Sequence, residues 1–467
     1  MSGTSALFDP SIYEARRIRL LMGLADGLIL LPGNPDSPMT FRDNIHPFRQ
    51  DSSFRYYFGL DQPDLVGVID VDEDEATIFG DELTIDDVVW TGHLPTIAER
   101  AQQVGVEKIR PLADLPKLLQ EAKTKGRPIH YLPPYRGAQT LSLARWLDRA
   151  PAEIEEGASL ELIHLVISQR AIKTPPEIEE LEKAVDLSVD MHVAAMRMAR
   201  PGMKESEIAA EVTRIATAGG AGTSFMPIAT IHGEILHNHD HSHTLGSGDL
   251  FLLDAGAMTP SGYCGDLSST FPVDARFTER QATMYELSLA AHEAAVQMLR
   301  PGVPNLEVHL AAAQTIAEGM TALGIMQGDP EEAVAAGAHA MFFPCGVGHM
   351  MGLDVHDMEN LGEVYVGWDG QPKPAEFGLK SLRLARALEP GFVLTIEPGI
   401  YFIPQLIDRW REEKKHEQFF DWVELDKWRD FGGIRNEEDF LITHEGAHLL
   451  GKPKPKTVAE VEAIRGS

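Results

Sequence analysis

Four stretches between residues 248 and 443 read as buried strand or tight turn, and each carries an acid or a histidine where an apolar side chain is expected. This constrains the fold more than any other feature, because a carboxylate taken out of water must meet a cation, a proton or strong donors. In GDLFLLDAGA the apolar residues Leu250–Leu253 run straight into Asp254. After a turn holding Pro260 and Gly262, Asp266 opens GDLSSTF, so the two acids are expected on neighbouring strands of a hairpin. By itself the pair is either a cation site or two solvated turn acids, and the apolar run before Asp254 favours the cation.

The other segments add donors. GVGHMMGLDVHD sets His349 and His356, seven apart, in an apolar stretch rich in glycine. A histidine there is a satisfied core residue as readily as a ligand, although the glycines permit close backbone approach. In LTIEPGIY, Glu397 interrupts a strand-like run. In GGIRNEEDFLIT, period-2 alternation puts Arg435, Glu437 and Asp439 on one face, yet the residues alone do not choose between Glu437 and Glu438 as the acid of the site. The resulting donor set is mostly hard oxygen. It suits Mn(II) first, then Co(II), Fe(II) or Zn(II), and does not suit a structural zinc. Carboxylates bridging two ions about 3.5–4 Å apart would generate a hydroxide nucleophile at neutral pH. A rival set, His237, His239, His241 and His243, alternates along the chain and shares one face if extended; its plainer reading is a polar loop between Leu236 and Leu245.

The 467 residues exceed one ordinary domain, and with 43% apolar and 24% charged residues the chain has material for a core. The first third alternates strand-like runs (25–31, 65–71, 76–79, 128–132) with helical ones (94–104, 113–123), an α/β arrangement with no glycine-rich phosphate loop. A boundary falls near Thr174-Pro175-Pro176, where a long helix opens and runs to about Ala199. The expected domains are therefore 1–170 and 171–467. Within the second, Arg200-Pro201-Gly202 and Arg300-Pro301-Gly302 each follow a long helix and precede another, which suggests a duplicated unit with a site between its halves. A net charge of −30 disfavours nucleic acid and anionic membrane as partners. Two cysteines and no long apolar run make a soluble, cytoplasmic protein the expectation.

Taken in order, LLDAGA, GDLSSTFPV, GVGHMMGLDVHD, TIEPGIYF and GGIRNEEDF resemble the motifs of the proline-specific branch of the pita-bread metallopeptidase family, aminopeptidase P and prolidase. The resemblance extends to the N-terminal third through FRQDSSF and GVIDVD. It implies an α/β N-terminal domain (ribonuclease H-like), which covers the substrate and helps form a dimer or tetramer. It also implies an α+β pita-bread C-terminal domain with an internal pseudo-twofold. Two divalent metals are implied on Asp254, Asp266, His349, Glu397 and Glu437, the last being chosen over Glu438 because it lies two residues after Arg435. By the same resemblance His237, seventeen residues before Asp254, and His356 contact substrate, Glu397 shuttles a proton, and Arg383 meets a substrate carboxylate. Arg435 is placed with the substrate-binding groups. The implied reaction is hydrolysis of an Xaa-Pro bond by a metal-bridging hydroxide, in longer peptides or in dipeptides. A non-catalytic binding module or a metal-free relative is the alternative, disfavoured because all five ligands are present. One departure stands out: Cys345 occupies the place of a family histidine.

Overall fold

The computed structural model describes residues 8–466. The chain divides into two compact units, Met1–Arg170 with Asn360–Gly362, and Ala171–Glu359 with Glu363–Ser467.

In the first unit, α1 (Pro10–Gly23) leads into β1 (Leu28–Pro32), followed by α2 (Ser52–Phe58), β2 (Val66–Asp70), β3 (Glu75–Phe79) and α3 (Ile85–Thr91). Then come α4 (Ile97–Gln102), β4 (Lys108–Arg110), α5 (Leu115–Thr124), β5 (Ile129–Tyr131), α6 (Gly137–Leu147), α7 (Ala152–Glu156) and α8 (Leu160–Ala171). The sheet order is β4-β3-β2-β1-β5, with β1, β2 and β3 antiparallel in sequence and β5 parallel to β1. Alternation along β1 explains why both faces are covered. Leu28 and Leu30 join a core with Leu115, Leu119, Leu143 and Leu147 from α5 and α6, while the intervening Ile29 and Leu31 are equally buried on the opposite face. Four strands and two helices match the expected segments to within a few residues. Helix α1 escaped notice because Arg16 and Arg17, polar in sequence, are buried; Arg17 donates to the carbonyls of Tyr57, Val104 and Gly105.

The second unit opens with α9 (Pro175–Met198), whose start is fixed by Glu177 accepting from the backbone N–H and hydroxyl of Thr174. It continues with α10 (Glu205–Ala218), β6 (Ile228–Thr230), β7 (Leu250–Asp254), β8 (Ser268–Pro272), α11 (Glu279–Gln297), α12 (Asn305–Ala322), α13 (Pro330–Ala335) and α14 (Glu363–Gly367). The remaining elements are β9 (Val393–Ile396), β10 (Gly399–Tyr401), α15 (Pro404–Glu412), α16 (Trp422–Asp426), β11 (Gly433–Arg435), β12 (Glu438–Ile442), β13 (Ala447–Leu449) and α17 (Val458–Arg465).

The duplication is visible bond by bond. Gly202 N–H donates to Leu245 O and Leu245 N–H to Met203 O; one repeat later Gly302 N–H donates to Leu388 O and Leu388 N–H to Val303 O. Each helix pair, α9–α10 and α11–α12, accompanies a three-stranded sheet, β6-β7-β8 and β13-β12-β9 respectively. Among the described residues no helix is long and apolar enough to cross a membrane.

Candidate metal centre

Strand β7 buries its first four residues and ends on Asp254. Its antiparallel partner β8 places Ser268 opposite Asp254, so Asp266 lies just before the strand and not on it, as the hairpin reading had placed it. The arms between the two acids touch: a Cβ on Gly256 would lie 1.7 Å from Gly265 O, so no side chain fits there. Asp266 is held from behind, its N–H donating to Asp439 Oδ2 at 3.1 Å.

The segment before His349 runs beside β9. Thr395 N–H donates to His349 O and Glu397 N–H to Val347 O, which sets the histidine beside the acid that ends the strand. Gly348 permits the approach, since a Cβ there would come within 1.9 Å of Thr395 O. His349 Nδ1 lies 3.0 Å from Met350 O. A carbonyl can only accept, so Nδ1 donates to it and Nε2 is the ring atom turned toward the acids. That Nε2 lies 3.4 Å from Asp266 Oδ2 and 3.5 Å from Glu397 Oε1.

The alternation expected along 435–439 holds. Ser268 Oγ donates to Glu437 Oε2 at 2.7 Å, while Glu438 turns away to Lys456 at 2.5 Å. Asp266, His349 and Glu437, all buried, each bring one ligand atom within 4.8 Å of the others. Asp254 and Glu397 line the same cavity, of about 590 Å³. Burial first, then the neighbouring acid charges, pushes the carboxyls of Asp266 and Glu437 well above the usual carboxylate range. Glu397 is also pushed up by burial, against the opposing charges of His349 and Arg435. Oδ1 of Asp254 and of Asp266 is buried without a hydrogen-bond donor. Oxygen-rich, crowded and short of donors, this set fits hard divalent cations.

His237, His356 and Arg383 line the cavity, as does Cys345. The ring of His356 lies 4.1 Å from that of His349, and burial, then the neighbouring imidazole, pushes it down to about 4. Burial also lowers His237, with Arg435 adding to the effect. The Cys345 thiol, partly open to the cavity but closely surrounded by protein, is pushed up to about 12 by burial and then by Glu397.

The four alternating histidines lie in an irregular segment, the plainer of their two readings: His239 joins His237 at the cavity, while His241 bonds to Pro227 O and His243 to Glu205. One expectation shifts. Arg435 commits its guanidinium to protein, with Nη2 on Asp254 at 2.6 Å, Nη1 on Tyr401 Oη at 2.9 Å and Nε on Ser268 Oγ at 2.8 Å. It therefore holds Asp254 and does not offer an open fork to substrate. Tyr401, Ser268, Phe377 and Glu359 went unnoticed as site residues. Only Glu359 carried a signal, standing three residues after His356.

The fold and donor set define a class, a duplicated α+β metal-binding domain preceded by a smaller α/β unit. Comparison with known proteins narrows it. The model of metallopeptidase family M24 matches residues 179–444, and that of the aminopeptidase P N-terminal domain matches residues 13–130. The chain belongs to metallopeptidase family M24, and its second unit is the pita-bread domain. It is 31% identical to an Xaa-Pro dipeptidase of Homo sapiens over 94% of this chain and 88% of that one. A probable Xaa-Pro aminopeptidase of Metarhizium acridum is 27% identical, over 97% and 93% of the two chains. Among solved structures, the aminopeptidase PepP of Pseudomonas aeruginosa matches with a TM-score of 0.81 at 29% identity, over 98% of both chains. A zinc-substituted E. coli aminopeptidase P in complex with product matches equally well in fold at 28% identity.

Proposed function

We propose that this protein hydrolyses Xaa-Pro peptide bonds with two divalent ions, Mn(II) foremost, held by Asp254, Asp266, His349, Glu397 and Glu437. The observation that carries the reading is the convergence of these five residues, from four separated segments, on one cavity with two orphaned carboxylate oxygens. Bound there, such ions supply the Lewis acidity that activates water and polarises a scissile carbonyl.

The chain's own groups do the rest. Glu397, buried beside His349, takes the proton of the attacking water and returns it to the departing proline nitrogen. His237 and His356 face the cavity and contact the substrate beside the scissile carbonyl. Arg435 keeps Asp254 oriented, and Arg383 meets the C-terminal side of the substrate. An Xaa-Pro bond has no N–H to offer, so selection rests on the fit of the ring and on the groups that read the termini.

The test is hydrolysis of Gly-Pro-Ala and Gly-Ala-Ala by protein stripped with chelator and reloaded with Mn(II). Cleavage of the proline peptide alone, restored by Mn(II), is the expected result. Equal rates on both peptides, or cleavage that survives chelation, would sink the proposal.

A further inference from the structure

His356 and Arg383 meet on one carboxylate. Glu359 Oε2 accepts from Arg383 Nη1 at 2.6 Å and lies 3.2 Å from His356 Nδ1. The two partners line the cavity, and Glu359 stands behind them, its other oxygen buried and without a donor. The preceding backbone is strained to allow this. Met358 is fully buried at φ 65°, a left-handed conformation that a bulky residue keeps only where its surroundings impose it. Asp357, on the other side of that kink, is fixed by a buried ion pair to Lys173 at 2.9 Å and by its N–H on Met350 O. Although burial alone would raise the Glu359 carboxyl, the His356 hydrogen bond and the positive charge of Arg383 oppose it, and the carboxyl is held below the usual range.

We propose that Glu359 sets the terminus preference of the site, holding a negative charge on Arg383 that biases the cavity against a free carboxylate on the proline and toward peptides that continue beyond it. A dipeptide carboxylate reaching Arg383 also approaches Glu359 and meets like charge. A peptide carbonyl carries no net charge and can use the guanidinium donors that Glu359 leaves free. The inference rests on the reading of Arg383 as the group that meets the substrate's C-terminal side.

The discriminating measurement is the ratio of kcat/KM for Gly-Pro to that for Gly-Pro-amide, on the full chain loaded with Mn(II). The two substrates differ in terminal charge and hardly in shape. Glu359→Gln is expected to raise the ratio about tenfold, mainly through a lower KM for Gly-Pro, and Arg383→Met to lower it. If Glu359 merely props up His356, both substrates slow together and the ratio stays put, which overturns the proposal while Arg383→Met still moves it. A ratio indifferent to Arg383→Met as well would reject the Arg383 reading itself. Should the glutamine variant not fold, Glu359→Leu removes the same charge and is held to the same outcomes.

Discussion

Glu437 and Glu438 are chemically identical neighbours, both buried, yet they stand in different surroundings. Glu437 accepts from Ser268 and shares a ligand-distance cluster with Asp266 and His349. Glu438 faces the other way and pairs with Lys456. Glu437→Gln and Asp266→Asn are each expected to abolish Xaa-Pro turnover, by more than about 1,000-fold as for loss of an essential catalytic group, and to lower bound Mn(II) by elemental analysis. Glu438→Gln should keep turnover within about tenfold and lose stability instead, since it strands Lys456 beside a buried amide. Full activity in Glu437→Gln would overturn the ligand assignment. Arg435 makes a related point: the sequence placed it correctly beside the acids, but only the positions of Tyr401 and Ser268 reveal that it serves Asp254.

At the scale of elements, the loop from Gly346 to Glu359 has little regular structure, yet it carries two histidines that must not drift. It is anchored at both ends. His349 is tied to β9 through Thr395, and Asp357 to the buried ammonium of Lys173 at the head of α9. Removing one partner of such a buried pair costs about 3–5 kcal/mol, whereas replacing both with apolar groups is often close to neutral. Lys173→Met should therefore lower the urea midpoint sharply and weaken Mn(II) binding, and Lys173→Met with Asp357→Leu should recover most of the stability. A single variant as stable as wild type would dismiss the anchor. Elements with strong local signals were legible in the sequence: α9 from its prolines, Thr174 and Glu177, β1 and β2 from apolar runs, and Asp254 from the acid at the end of a strand. The three-residue strands β4 and β13 are too short to show a period, and α1 hid behind buried arginines. Phe377, which lines the cavity and packs on Trp410, and Met358, whose strain exists only in three dimensions, had no local signature at all.

The whole molecule balances groups that would rather be solvated. Burial pushes His309 down to about 3 and His339 to about 4, so both are neutral in the folded chain while the unfolded chain protonates near 6.5. Their contribution is complete above pH 6.5 and is lost as pH falls toward 4. Each costs about 2 kcal/mol between pH 7 and pH 5, and His309→Leu should flatten that acid limb in a series of thermal midpoints; an unchanged slope would contradict it. The metal centre poses the larger conflict. Asp254, Asp266, Glu397 and Glu437 crowd one cavity, with burial and mutual charge both opposing them. Cations that bind the folded state stabilise it by about 2.7 kcal/mol at a hundred times Kd, so a site built to hold them carries strain when they are removed. Scanning calorimetry of wild type and Asp266→Asn, each with and without chelator, should show the order of stability reverse. Metal-free Asp266→Asn should melt above metal-free wild type because a carboxyl whose charged form burial and its neighbours oppose gives way to a neutral amide, and with Mn(II) present wild type should melt higher because only it gains the full binding energy. If the variant melts lower in both conditions, Asp266 is a structural acid whose partners are already on the protein, and the centre does not depend on cations for its stability.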